Sequence, residues 1–151
     1  MLAETVGALA GHDINVIATL GSSLKNPHAG TERPNPRPDD TEVRFVPFVP
    51  LGQLLDRADL VVGSGGAGTV LGTLAHGLPM VLWPQGADQP INAARAAAAG
   101  TAITVDNAAS VSPAVRKMLT DSEFRSRAET VAAENNRRLS PADVIARIAA
   151  A

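Results

Sequence analysis

The chain has 151 residues, room for one compact domain and too little for two ordinary ones. Apolar residues make up 45% and charged residues 19%, the balance of a folded globular chain rather than a disordered one. With no cysteine, disulfides, thiol redox chemistry and cysteine-held zinc are excluded, and a net charge of −2 with 3% aromatics argues against a nucleic-acid surface. No apolar run approaches the ~18 residues of a membrane span. The first residues also lack the basic-then-apolar order of a signal peptide, so a cytoplasmic location is expected.

Leu2 to Ala10 is rich in helix formers and stops at Gly11, a natural residue to follow a helix end. Ile14 to Thr19 reads as a strand. The segment 21–42 carries Pro27, Pro34, Pro36 and Pro38 among Gly, Asn and Ser, and is expected to be irregular. Val43 to Val46 predicts a second strand, a short helix follows at about Gln53 to Arg57, and Asp59 to Val62 predicts a third strand. A glycine run then leads into a helix from Thr69 to His76. Met80 to Trp83 is a fourth strand between Pro79 and Pro84, followed by a helix from Gln89 to Ala99 and a fifth strand from Ala102 to Val105. From about 113 to 150 the pattern is helical, with Ser112-Pro113 and Ser140-Pro141 each reading as a cap followed by a first-turn proline. Strands alternating with helices predict an open parallel α/β sheet.

Two segments carry chemistry. In Gly63-Ser64-Gly65-Gly66-Ala67-Gly68-Thr69, a strand turns into a helix through four glycines in six residues. Glycines let the backbone approach a ligand, and the free amides of a helix start favour an anion. Ser64 and Thr69 add hydroxyls, so a diphosphate is the natural guest; the alternative is a tight turn that only lets the helix pack close. Gly63, Gly65 and Gly68 also fit the dinucleotide fingerprint, with Asp88 downstream as its acid. Against that reading, the turn follows the third strand, and Asp88 lies in a loop past Pro84.

The second segment, Trp83-Pro84-Gln85-Gly86-Ala87-Asp88-Gln89, leaves the neighbouring strand at the same sheet edge. Asp88 and Gln89 offer carboxylate acceptors and an amide, a set that matches several sugar hydroxyls. Taken alone, Asp88 also reads as a simple cap of the next helix. His76 is expected at a helix C-terminus, and Trp83 is expected to pack behind the site. His12, His28 and the Asp39-Asp40 pair fall in turns or loops and are expected to be structural or solvated.

Together, Phe48-Val49-Pro50, the glycine turn, His76-Gly77-Leu78-Pro79 and the segment from Trp83 to Ala93 resemble the donor-binding domain of bacterial natural-product glycosyltransferases. These macrolide-type enzymes are kin to the plant UDP-glycosyltransferases and have the two-Rossmann GT-B fold. The resemblance covers 43–100 most specifically and extends loosely to both ends of 1–151. It implies a Rossmann-like domain and an inverting, metal-independent transfer of sugar from a UDP- or dTDP-sugar to a hydroxyl of a small hydrophobic acceptor. By the same resemblance Phe48 stacks on the nucleobase and Val49 meets its edge. Ser64, Gly65, Gly66, Gly68 and Thr69 hold the diphosphate, and Asp88 and Gln89 hold the sugar. No cofactor, metal or nucleic-acid partner is implied.

Three features depart from the family pattern. Ser64 stands where a histidine normally donates to the diphosphate, a difference worth about 1.5–3 kcal/mol for a charge-assisted bond. Gly72 stands where plant relatives carry a ribose-binding acid. The acceptor-binding N-terminal domain, which supplies the catalytic base, has no counterpart in these residues, so no catalytic residue is expected here. The family's donor domain also opens with a strand that ends in a Gly-Ser turn, whereas this chain begins at the helix that follows it. In the strand order 3-2-1-4-5-6 that strand is central, so Ile14–Thr19 and Asp59–Val62 lose a common neighbour. Either the two close on one another, or another chain supplies the strand, or Met1 is not the true start. Marginal stability of the isolated chain is the expectation, since each buried unpaired backbone group costs about 1–3 kcal/mol.

Overall fold

The computed structural model describes residues 1–19, 42–46 and 49–150. In chain order the elements are α1 (Leu2–Leu9), β1 (Asn15–Thr19), β2 (Glu42–Val46), α2 (Leu51–Leu55), β3 (Val61–Gly63), α3 (Ala67–Ala75) and β4 (Met80–Leu82). Then come α4 (Gln89–Ala98), β5 (Ala102–Thr104), a 3-10 turn (Ala108–Ser110), α5 (Val111–Thr120), α6 (Ser122–Asn136) and α7 (Pro141–Ala149). The α/β alternation read from the sequence holds, and boundaries move by a few residues. The short helix after β2 begins at Leu51 rather than Gln53. Almost all of the proline-rich segment 21–42, including His28 and Asp39-Asp40, lies outside the described residues, as does Phe48.

All strand pairs are parallel, but they form two ladders, β1-β2 and β3-β4-β5. β4 is the centre of the larger one, and its Met80, Val81 and Leu82 are wholly buried. Side chains alternate across a strand, so one face receives Met80 and Leu82 and the other receives Val81. Met80 and Leu82 join Val70 of α3, Ala93 and Ala96 of α4, and Ala102. Val81 joins Leu9 of α1 and Val111, Ala114, Val115 and Met118 of α5. A strand covered by helices on both faces has to read as an unbroken apolar run, which Met80-Val81-Leu82 does.

β1 and β3 share no ladder: of the outcomes expected for strands without their common neighbour, closure on one another does not occur. Val16 of β1 and Val62 of β3 both pack on the Val81 cluster.

The helical tail follows one sequence expectation and corrects another. Ser140 caps α7 with a complete capping box, its hydroxyl accepting the Asp143 N–H at 3.1 Å while the Asp143 carboxylate accepts the Ser140 N–H at 2.9 Å. The hydroxyl and backbone of Ser140 both hold the Asp143 carboxyl below its ordinary value. Ser112 does not cap α5. Asn107 takes the Ser110 N–H at 3.0 Å and starts a 3-10 turn that runs on into the helix at Val111. Pro113 is thereby placed in the first helical turn, where a missing N–H costs nothing. The Ser112 hydroxyl bonds His12 Nε2 instead, at 2.6 Å.

Candidate functional site

β3 and β4 run parallel, with Gly63 opposite Leu82, so the segments that follow them leave the sheet at the same edge. The Trp83 N–H donates to the Gly63 carbonyl at 2.8 Å and extends the ladder one step into both segments. Beyond that point Ser64, Gly65 and Gly66 lead into α3, while the residues from Trp83 to Asp88 lead into α4.

Gly65 is buried with φ +89°, and a Cβ there would lie 3.2 Å from the Gln89 carbonyl and 3.8 Å from the Ala93 Cβ. The turn is thus pressed against the first turn of α4, and only glycine fits both the conformation and the space. Gly66 and Gly68 differ: a Cβ at either meets nothing within 4 Å. Gly66 occupies the cap position of α3 without a side-chain cap, and Val70 is the first residue whose N–H bonds back, to the Gly66 carbonyl at 3.0 Å. Among the described residues the N–H groups of Gly66, Ala67, Gly68 and Thr69 and the Ser64 hydroxyl carry no hydrogen bond. Free amides at the positive end of a helix, bordered by open glycine surface, can hold an anion.

The second segment turns sharply through Gly86 (φ +146°) and Ala87 (φ +54°) before α4. Asp88 sits at the cap position, but its φ of −81° and ψ of −7° are helical and its side chain makes no cap bond. The capping alternative for Asp88 is therefore not what forms. Its Oδ2 instead accepts from Asn92 Nδ2 at 2.8 Å, and the residue is exposed. Gln89 Oε1 accepts the Gln85 N–H at 2.8 Å, and among the described residues its amide nitrogen makes no hydrogen bond. Gln85 in turn donates to the Trp83 carbonyl at 3.1 Å. Asn92 Nδ2 also donates to the Gly65 carbonyl at 3.0 Å and so joins the two segments.

Of the residues expected to act together, Gly65 is brought against Gln89 and tied to Asp88 through Asn92, while Ser64, Gly66, Gly68 and Thr69 adjoin it in the chain. Val49 lies half-buried just ahead of α2. Trp83 packs on the Val81 cluster, behind the site. His76 ends α3, donating through Nδ1 to the Gly72 carbonyl at 2.8 Å with Nε2 3.5 Å from Asp56 Oδ1, a structural tie between α3 and α2. Gln85 and Asn92 had no part in the sequence reading. The only signal was the four-residue spacing of Asp88 and Asn92, which places that pair together on a helical turn; Gln85 lies before the turn through Gly86 and Ala87, and its spacing carried none.

Among known proteins, the chain is 37% identical over 134 residues to UDP-glycosyltransferase 2 of Phaeomoniella chlamydospora, covering 85% of this chain and 28% of that protein. It is 35% identical over 140 residues to the elloramycin glycosyltransferase ElmGT of Streptomyces olivaceus, covering 92% of this chain and 34% of that one. The crystal structure of glycosyltransferase VinC in complex with dTDP superposes with a TM-score of 0.79 at 25% identity, over 99% of this chain and 37% of that one. The glycotransferase of kitacinnamycin gives a TM-score of 0.72 at 26% identity, over 88% and 34%. The chain spans about a third of the length of these relatives. A family model matches residues 3–151, and the chain belongs to that glycosyltransferase family, the erythromycin biosynthesis protein CIII-like C-terminal domains.

Proposed function

We propose that this chain is the donor-binding half of an inverting, metal-independent glycosyltransferase using a UDP- or dTDP-sugar. The observation that carries the proposal is the joining of the open glycine turn to the Asp88-Gln89 segment at one sheet edge. One subsite suits a diphosphate and its neighbour suits hydroxyls. In this reading Ser64, Gly65, Gly66, Gly68 and Thr69 take the diphosphate, Asp88 accepts from sugar hydroxyls, and Gln89 donates to them. Phe48 and Val49 meet the nucleobase. An acceptor hydroxyl attacks the anomeric carbon as its proton passes to a base on a separate acceptor-binding domain or subunit. The bond from that carbon to the diphosphate oxygen breaks, and the start of α3 stabilises the departing charge in the role a divalent metal fills elsewhere. The chain by itself is then inactive, and the acceptor is a small hydrophobic alcohol.

Isothermal titration of the folded chain with UDP, dTDP and NAD tests the reading. Saturable one-site binding of UDP or dTDP, tighter than NAD, supports it; no binding at millimolar nucleotide overturns it.

A second reading, donor binding without turnover, is favoured by Ser64. Its hydroxyl brings no imidazole charge to the leaving diphosphate, where a charge-assisted bond is worth about 1.5–3 kcal/mol. Sugar transfer on supplying an acceptor-binding domain, undiminished by a metal chelator, would decide for the enzyme.

A further inference from the structure

Asn92 stands on the first turn of α4, half-buried, and spends both hydrogens of one amide nitrogen on the two segments of the site. One goes to Asp88 Oδ2 at 2.8 Å, while the Asn92 backbone N–H donates to the Asp88 carbonyl at 3.1 Å. The other goes to the Gly65 carbonyl at 3.0 Å, across 27 residues of sequence. The second bond has a consequence at the next atom. No peptide bond of the described residues is cis, and in a planar trans peptide the carbonyl and the following N–H point in opposite directions. With its carbonyl held toward α4, the Gly65–Gly66 peptide presents the Gly66 N–H to the open side, where a Cβ of Gly66 would meet nothing. Two successive glycines place little steric barrier against rotation of that peptide. A flipped peptide would aim a carbonyl oxygen, rather than an N–H, at an incoming anion.

We infer that Asn92 is a positioning residue that fixes the Gly65–Gly66 peptide with its N–H toward the donor diphosphate and, with the same amide, holds the Asp88 carboxylate for the sugar. The inference rests on the donor-binding reading above. It makes the diphosphate and sugar subsites a single hydrogen-bonded unit, so one substitution weakens both.

Binding of dTDP, UDP and the matching nucleotide-sugars to the wild-type chain and to Asn92→Ala and Asn92→Asp separates the possibilities. Asn92→Asp keeps size and shape, but its carboxylate faces the Gly65 carbonyl and the Asp88 carboxylate with no donor for either. The expected result is at least a tenfold loss for Asn92→Ala and a larger loss for Asn92→Asp, with the near-ultraviolet dichroism of Trp83 unchanged in both. The amide resonance of Gly66, displaced by dTDP in the wild type, should no longer move in the variants. A space-filling role gives the reverse order, with Asn92→Asp close to wild type, and overturns the inference. Wild-type affinity in both variants overturns it as well. Failure of the wild-type chain to bind any of the four ligands overturns the donor-binding reading instead. If Asn92→Ala does not fold, Asn92→Leu, uncharged and of similar volume, takes its place: a positioning role predicts at least a tenfold loss, and a space-filling role predicts wild-type affinity.

Discussion

The two ladders are built from similar apolar strands and behave differently. In β3-β4-β5 the central strand is wholly buried, helices cover both faces, and the segments leaving it are tied to each other by side-chain and backbone bonds. In β1-β2 the register is regular over five residue pairs, yet Ile17 in the middle of β1 is 53% exposed and the strand shares no ladder with β3. Local pairing is therefore not what distinguishes them; coverage is. The segments proposed for the diphosphate and the sugar leave the covered ladder. Val49, proposed for the nucleobase, follows β2 in the chain, so on that proposal the donor site draws on both ladders and depends on packing such as that of Val16 and Val62 on one cluster.

The largest effects should separate the ladders by stability. Met80→Ala empties a wholly buried position and is expected to cost about 2–5 kcal/mol, whereas Ile17→Ala should stay within about 0.5 kcal/mol. Denaturant unfolding followed through Trp83 measures both, and equal costs would erase the contrast. Next comes Gly65→Ala, which puts a side chain at φ +89° with its Cβ 3.2 Å from the Gln89 carbonyl. The left-handed conformation alone costs about 1–2 kcal/mol, and displacement of α4 should abolish dTDP binding in titration. A smaller and more selective change is Gln89→Glu. It keeps an acceptor for the Gln85 N–H but removes the amide donor. Nucleotide-sugar affinity should fall by about fivefold while the nucleoside diphosphate binds as before, the loss of a hydrogen bond worth about 1 kcal/mol. A parallel loss for both ligands would place Gln89 outside the sugar subsite.

The smallest effect lies at α7, which is exposed along 142–150. Ser140 lowers the folded value of the Asp143 carboxyl below 3.8, so its contribution to the helix start is present above that value and is lost as pH falls below it. Helical dichroism of the tail should decline on acidification below 3.8 earlier in Ser140→Ala than in the wild type. The dTDP affinity measured at neutral pH should be the same in both.

Much of this was legible in the residues themselves. Met80-Val81-Leu82 between prolines announces a buried strand, and four closely spaced glycines announce a backbone that something approaches. Ser140-Pro141 marks a helix start where one forms. The same dipeptide at Ser112-Pro113 misleads, because Asn107 begins the turn upstream and His12, a hundred residues away in sequence, takes the serine hydroxyl. Asp88 misleads in the same way, its capping role displaced by Asn92. In each case a local preference of about one hydrogen bond yields to a partner brought close only by the fold. The division into two ladders is likewise invisible in strand patterns, which fix which residues face inward but not which strands become neighbours.

The joining of the glycine turn to the Asp88-Gln89 segment into one donor site is tested most directly by amide shift mapping of the folded chain with a dTDP-sugar. The account predicts that Gly66, Gly68, Thr69 and Gln89 respond together, with one common saturation curve. Responses confined to the cleft of His12, Arg116 and Leu119, or separate curves for the turn and for Gln89, would contradict it.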